Sequence, residues 1–283
     1  MELLQHPGIK ELIEIAIKED VGSGDHSSLA CIPADKMGKA YCIAKEDGII
    51  AGIELAAYIF KRIDSGLIYN PLKKDGDAIV KGDHIFEIIG SDISILTAER
   101  LVLNFMQRLS GIATQSKKIS DLLKDYHTTI LDTRKTTPGM RLLEKWAVKL
   151  GGCKNHRIGL YDMIMIKDNH IDFAGGIKQA IDKTKQYLLF KGLNLPIEIE
   201  TRNLEEVRQV LEVGGVNRIM LDNFKPELLK EAVELIGKRF ETEASGGITI
   251  DNIELYAACE VDFISVGALT HSSKSIDLSL RVS

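Results

Sequence analysis

Four cations and a histidine stand where a bound anion would need them. Arg134 and Lys135 are adjacent, His156 and Arg157 are adjacent, and Lys167 follows, each at the junction of an apolar run and a polar loop. Fixed cations at such junctions can hold carboxylates or phosphates, and the planar two-donor fork of arginine suits a carboxylate. All five belong to residues 132–170, DTRKTTPGMRLLEKWAVKLGGCKNHRIGLYDMIMIKDNH. That segment has eight Lys/Arg against four Asp/Glu, a balance of +4 in a chain of −5, which leaves −9 elsewhere. A second group is acidic. Glu200 and Asp222 can hold Mg²⁺, ribose hydroxyls or a developing cation. A third group is small: Ser245-Gly246-Gly247, expected to open a helix, and Gly267-Ala268, whose backbone N–H groups suit a phosphate. The ligand set these groups describe is a sugar phosphate plus an acid.

The groups recur because the elements recur. Apolar runs TTIL (128–131), MIMI (163–166), PIEIE (196–200), RIML (218–221), ETEA (241–244) and DFISV (262–266) read as strands. Amphipathic stretches at 175–190, 203–213, 226–237 and 249–258 read as the helices between them. Strand and helix alternating at this spacing specify a parallel sheet, and the number of units favours a β/α barrel, TIM-like and incomplete, over an open sheet. Sites on such barrels lie at the C-terminal strand ends, where the polar residues fall. Lys167 at a strand end also admits a second reading, as the Schiff-base lysine of an aldolase-like enzyme.

The first half reads as α+β. Residues 9–18 form an amphipathic helix, EDVGSGDHSS a tight loop, GKAYCIAK, AIVKGDHIFEIIG and DISIL short strands, and 54–63 a helix. A long helix is expected over 97–126, capped by Thr97, with Arg100 and Arg108 as surface ion pairs. Arg141, Lys145 and Lys149, at i, i+4 and i+8, read as the solvated stripe of a helix whose inner stripe is Leu142, Leu143, Trp146, Ala147 and Leu150. KKDGDAIVKGDHIFEI is similar to the strands of lipoyl or biotinyl carriers, although neither Lys74 nor Lys81 has the flanking signature of a modified lysine.

With 283 residues and 31.3 kDa, the chain is long enough for two domains. The most apolar stretch, GIIAGIELAAYIF, includes Glu54 and is too short to span a bilayer. The acidic helical start lacks a basic n-region and cleavage site, so a cytoplasmic location is expected. Cys31, Cys42, Cys153 and Cys259 form no CxxC pair, which argues against a zinc ribbon or redox motif. A pI near 5.9 gives no general attraction to nucleic acid, and small anionic substrates remain allowed.

The stretches EDVGSGDHS, ERLVLNFMQRLSGIAT, residues 132–170, IEIET, IMLDNF, EASGGI and ISVGALTHS, spread over 19–272, resemble the quinolinate phosphoribosyltransferase family. The resemblance implies transfer of phosphoribose from PRPP to quinolinate with Mg²⁺ assistance, giving nicotinate mononucleotide, pyrophosphate and CO₂. It implies an α+β sandwich over 1–112, a β/α barrel over 113–270 and a C-terminal segment, 271–283, returning to the first domain. It implies a homodimer or a hexamer with shared active sites, and no nucleic-acid or membrane partner. Carried over residue by residue, Arg134, His156, Arg157 and Lys167 hold the quinolinate carboxylates, with Arg100 reaching in from a neighbouring subunit. Lys135, Glu200 and Asp222 are the catalytic positions on the PRPP side, the last two also touching the metal. Thr133, Ser245, Gly246, Gly247, Val266, Gly267 and Ala268 complete the substrate contacts. Cys153 stands where the family usually has a third glycine.

Overall fold

The computed structural model describes residues 3–282. Two units form. One comprises residues up to Lys118, Thr136–Gly152 and the residues from Leu269; the other comprises Ile119–Lys135 and Cys153–Ala268. The chain therefore crosses between units more often than a division at 112 and 270 describes.

In the first unit, β1 (Met37–Ala44), β2 (Gly48–Ile49), β3 (Ile68–Pro71), β4 (Ala78–Ile79) and β5 (His84–Ser91) are joined by the strand Leu278–Val282. An antiparallel sheet runs in the order Leu278–Val282, β1, β5, β3, and β2 pairs with β4. The helix Ile53–Ile63 packs Ile59 and Phe60 into the core, where Phe60 meets the Phe86 ring edge-on with centroids 5.7 Å apart. Its first N–H groups are capped from afar, because the Asp75 carboxylate accepts from Gly52, Ile53 and Glu54 at 2.5, 2.9 and 3.3 Å.

Three expectations change here. DISIL is not a strand but the first turns of the helix Asp92–Leu122. Ile95, Ala98 and Val102 recur at helical spacing on its buried face, and Asp92 complements the helix N-terminus. Thr97 therefore lies inside the helix, its hydroxyl donating to the Ile93 carbonyl at 2.8 Å, rather than capping it. The loop read at EDVGSGDHSS contains a short helix, His26–Cys31, whose N-cap Asp25 accepts from the Ser28 N–H at 3.1 Å.

The helix Arg141–Leu150 does not present a solvated cationic stripe either. Lys145 is 1% exposed and Arg141 half-buried, and Lys149 alone of the three is exposed. Nor is Arg108 in a surface pair. Its Nη2 lies 2.9 Å from Oε1 of Glu144, which is 0% exposed, and its Nη1 donates to the Ser273 carbonyl at 3.2 Å. Gly111 on the same helix permits this close approach: a Cβ there would fall 2.1 Å from the Lys274 carbonyl oxygen.

The second unit contains β6 (Thr129–Leu131), β7 (Ile164–Ile166), β8 (Ile197–Thr201), β9 (Arg218–Asp222), β10 (Glu241–Ser245) and β11 (Phe263–Ser265). These form one parallel sheet in the order β6-β11-β10-β9-β8-β7. Helices Ile177–Lys191, Leu204–Val213, Pro226–Ile236 and Ile253–Ala257 alternate with the strands, as the spacing requires, and Asp168–Ala174 is one that the spacing did not reveal. Among the described residues no ladder closes β7 onto β6, so the protein is α/β with an incomplete, barrel-like sheet. No helix of the described residues is long and apolar enough to cross a membrane.

Replacing Arg108 with alanine leaves the buried Glu144 carboxylate without its cation, a loss of about 3–5 kcal/mol. Urea denaturation of Arg108→Ala should show it; a loss below about 1 kcal/mol would mean the pair behaves like a solvated one.

Candidate active site

Six parallel strands end on one side, and each end delivers a polar or small group. At the end of β6, Asp132 is 0% exposed. Its Oδ1 accepts from the His156 N–H at 2.8 Å and its Oδ2 from the Asn155 amide at 2.6 Å, while its own N–H donates to the Lys154 carbonyl at 3.1 Å. One buried carboxylate thus ties the segment carrying Arg134 to the segment carrying Arg157. A second turn aims Arg157: the Asp162 carboxylate accepts from the N–H groups of Ile158 and Gly159 at 2.7 and 2.8 Å, and the Arg157 Nη1 donates to the Met163 carbonyl at 3.1 Å.

The two guanidinium groups so placed repel each other. Burial lowers the pKa of Arg157, and the charge of Arg134 lowers it further. Arg134 is half-buried, and its Nε is enclosed with no hydrogen-bond partner among the described residues. Half-buried cations with an unspent donor form a ready receptor for a carboxylate.

Lys167, at the end of β7, is exposed and reaches Oε2 of Glu200 with its Nζ at 2.9 Å. Glu200 itself is 7% exposed, near the end of β8. On the adjacent β9, Asp222 is half-buried and accepts from the Asn223 amide at 2.6 Å. Glu200 and Asp222 therefore each have one carboxylate oxygen engaged and one available to a hydrated cation or a ribose hydroxyl.

At β10, Gly246 has φ +94°, and a Cβ there would lie 2.9 Å from the Asn223 nitrogen, so no side chain fits. The expectation that Ser245-Gly246-Gly247 opens a helix is not met. The next helix begins at Ile253, after a turn in which the Asn252 side chain accepts from the Thr249 N–H at 2.8 Å. At Gly246 the sequence permits close approach of the backbone, and no helix dipole points there. Thr133 is half-buried with its hydroxyl accepting from the Lys135 N–H at 3.1 Å, and Lys135 is exposed. Val266 is 1% exposed and its N–H goes to the Leu131 carbonyl at 2.9 Å, so it braces the rim; Gly267 and Ala268 follow, half-buried. Arg100 lies on the helix Asp92–Leu122 of the other unit, exposed and with no ion pair among the described residues, contrary to its reading as a surface pair. Cys153 is buried, and burial together with the Asp132 carboxylate pushes its thiol up to about 12, which makes it an inert packing group.

His156 is placed differently from its expected role. It is 8% exposed, its Nδ1 faces the Arg157 N–H at 2.7 Å, and its Nε2 faces Glu198 at 2.9 Å and Glu243 at 3.5 Å. Burial works against a charged ring, whereas the two carboxylates pull its pKa up to about 9. A second ring proton would sit on Nδ1, where the Arg157 N–H already points. Whatever the charge of the ring, Nε2 is the nitrogen that presents a proton to the glutamates. Glu198, Glu243 and Arg218 were not among the residues expected to matter. The available signal was a charged residue inside each strand, on the same face as its strand-end group: Glu198 two residues before Glu200, Glu243 two before Ser245, and Arg218 four before Asp222.

A cavity of ≈ 360 Å³ opens beside β7, lined by Arg157, Leu160, Met163, Met165, His170 and Lys183 among others. It shares only Arg157 with the strand-end groups.

Two family profiles match the chain: "Quinolinate phosphoribosyl transferase, N-terminal domain" over residues 25–110 and "Quinolinate phosphoribosyl transferase, C-terminal domain" over residues 112–281. Among curated relatives, a chloroplastic nicotinate-nucleotide pyrophosphorylase (carboxylating) of Oryza sativa subsp. japonica is 49% identical, covering 98% of this chain and 79% of the relative. A mitochondrial quinolinate phosphoribosyltransferase (decarboxylating) 2 of Nicotiana glauca is 48% identical, covering 98% and 83%. Among solved structures, NadC from Streptococcus pyogenes superposes with a TM-score of 0.92 at 39% identity, covering 97% of this chain and 96% of that one.

Asp132→Ala removes the acceptor of two donors and should cost about 1–3 kcal/mol per unsatisfied donor. Hydrogen exchange should show protection lost locally at residues 154–157; unchanged protection there would mean another group holds the segment.

Proposed function

The chain belongs to the quinolinate phosphoribosyltransferase family, and from that premise we propose how its strand-end groups divide the work. The enzyme transfers the phosphoribosyl group of PRPP to quinolinate with decarboxylation, giving nicotinate mononucleotide, pyrophosphate and CO₂, a step of de novo NAD synthesis. The observation that carries the assignment of roles is the pair Arg134 and Arg157, half-buried, mutually repelling and with the Arg134 Nε unspent. Quinolinate is a dianion, and a pair of planar donor forks meets that need.

In this reading Arg134, Arg157 and Lys167 hold the two carboxylates and orient the ring nitrogen toward the ribose. His156 serves by bracing Arg157, since its ring nitrogens face inward. Breaking the anomeric C–O bond of PRPP builds positive charge on the ribose, which the Glu200 and Asp222 carboxylates stabilise. Lys135, exposed at the rim, takes the departing pyrophosphate, and Ser245, Gly246, Gly247 and Gly267 bring backbone up to the ribose phosphate. Thr133, Val266 and Ala268 shape that rim.

Bond formation makes the pyridine nitrogen cationic. The electrons of the bond to the neighbouring carboxylate can then remain on the ring carbon beside that nitrogen as CO₂ leaves, and a solvent proton replaces it. No dedicated general base is needed. Mg²⁺ fits the residues present: Glu200 and Asp222 each offer one oxygen, and this ion is usually held by one or two carboxylates plus substrate phosphates. When bound, it supplies charge neutralisation on the pyrophosphate.

Two further parts belong to the same proposal. Arg100, exposed and outside any ion pair among the described residues, reaches into the site of a neighbouring subunit, so the active form is a dimer or a hexamer. A cytoplasmic location is part of the same proposal, and the plant relatives bear chloroplastic and mitochondrial names.

Quinolinate labelled in its 2-carboxylate should release labelled CO₂ only with PRPP and Mg²⁺ present. Arg134→Ala should lower kcat/KM for quinolinate roughly a hundredfold, the loss of charged hydrogen bonds at about 1.5–3 kcal/mol each. A near-normal value would remove Arg134 from the carboxylate clamp.

A further inference from the structure

Beneath the rim lies a layer of charge that the assigned roles do not use. Glu198 on β8 and Glu243 on β10 are both 0% exposed, and their carboxylates converge on His156, with one ligand-type atom from each residue within 4.8 Å of the others. Arg218 at the start of β9 gives Nη1 to Glu243 at 2.7 Å and Nη2 to Glu241 at 3.0 Å, its guanidinium lying 3.8 Å from the centre of the Phe263 ring. Glu198 has no comparable cation. Nε2 of His156 lies 2.9 Å from Oε2 of Glu198, a contact by distance alone, since both carboxylate oxygens of Glu198 are buried with no hydrogen-bond partner among the described residues.

A barrel floor does not need such groups for stability. Replacing a buried ionic cluster with apolar side chains of similar volume is often neutral or stabilising, whereas isolated buried charge is costly. What the cluster can supply is orientation. His156 is held at three points: its backbone N–H by Asp132 at 2.8 Å, its Nε2 by the glutamate pair, and its Nδ1 against the Arg157 N–H at 2.7 Å. The ring is therefore a strut between the barrel floor and the peptide from which Arg157 projects. The charge of Glu198 also acts on Arg157, opposing the repulsion from Arg134.

We propose that Glu198 and Glu243, with Arg218 as their counter-ion, are positioning residues that fix the His156 ring and through it the aim of Arg157 at a substrate carboxylate. The inference rests on the reading of Arg157 as a quinolinate ligand. It predicts that the cluster serves one substrate of the two: a misplacement of about 1 Å at a clamp is enough to cost up to a hundredfold.

The test is the triple variant Glu198→Leu/Glu243→Leu/Arg218→Met, which keeps volume and removes the charge. Expected are thermal stability near that of the parent, KM for quinolinate raised tenfold or more, and KM for PRPP within twofold. On an Arg157→Ala background the same triple change should add less than twofold, because both act through one contact. Equal rises in both KM values, or a full multiplicative effect on the Arg157→Ala background, would reduce the cluster to a structural one. Should the triple variant not fold, Glu243→Gln is measured by the same KM comparison. Elemental analysis of the parent offers another refutation: a stoichiometric metal lost in the variant would mean that a cation, and not the ring, organises the carboxylates. The parent enzyme separates the two levels of inference. If it releases no CO₂ from quinolinate and PRPP the functional reading fails, whereas turnover with an unaffected variant overturns only the positioning role.

Discussion

Repulsion between Arg134 and Arg157 is the constraint that the second unit has to withstand. Burial first, and the like charge of Arg134 second, lower the pKa of Arg157, so holding these two half-buried guanidinium groups in place has a cost that full hydration would remove. The restraint comes from carboxylates that never meet a ligand. Asp132 binds the segment 154–156 to the end of β6, and Asp162 bends the chain just after Arg157. Because this price is met in folding, the donors proposed for a dianion are already in place before one arrives. Preorganisation of this kind is what separates a binding site from a basic surface.

The same logic explains why the parallel sheet departs from its usual composition. Strands covered on both faces normally read as apolar runs. Here β8, β9 and β10 have every residue at least half-buried except Glu241, yet alternate positions are charged or polar: Glu198 and Glu200, Arg218 and Asp222, Glu243 and Ser245. The period of two sorts these into a floor and a rim. Floor residues pair with one another and with His156, while the rim residues are those proposed to face the substrates. Function is thus distributed in depth along each strand and not only at its tip.

That depth marks the limit of what could be read from the residues alone. The six strands of the sheet lie within one residue of their expected ends, because short β-branched runs flanked by polar loops leave few alternatives. The strand-end groups Arg134, Lys167, Glu200 and Asp222 follow directly from those ends. What escaped needed tertiary information. Lys145 sits at the spacing of a solvated stripe, yet it is buried, which spacing along one helix does not reveal. DISIL alternates like a strand over five residues, too short a window to show that Ile95 continues the 3.6-residue face of the helix behind it. His156 carries a ligand-type side chain, and only its neighbours reveal that it points toward Glu198 and Glu243. The glycines follow β10 directly, but the turn at Thr249–Asn252 separates them from the helix that was thought to give them their charge.

Charge distribution over the whole chain completes the account. Both substrates are anions, yet the protein is −5, while residues 132–170 alone carry +4. A uniformly basic surface would speed the arrival of anions but would also collect polyanions of every kind. With −9 spread over the remaining chain, an extended polyanion meets repulsion along most of its length. A small dianion needs only the local field of the cleft, which extends about one Debye length, roughly 8–10 Å, before salt screens it. Even within the basic segment the balance is selective, since Glu144 neutralises Arg108 and Asp132 is consumed by backbone and amide donors. Of the strand-end cations, Arg134 keeps a buried Nε with no hydrogen-bond partner among the described residues, so the placement proposed for the clamp also restricts what can occupy it.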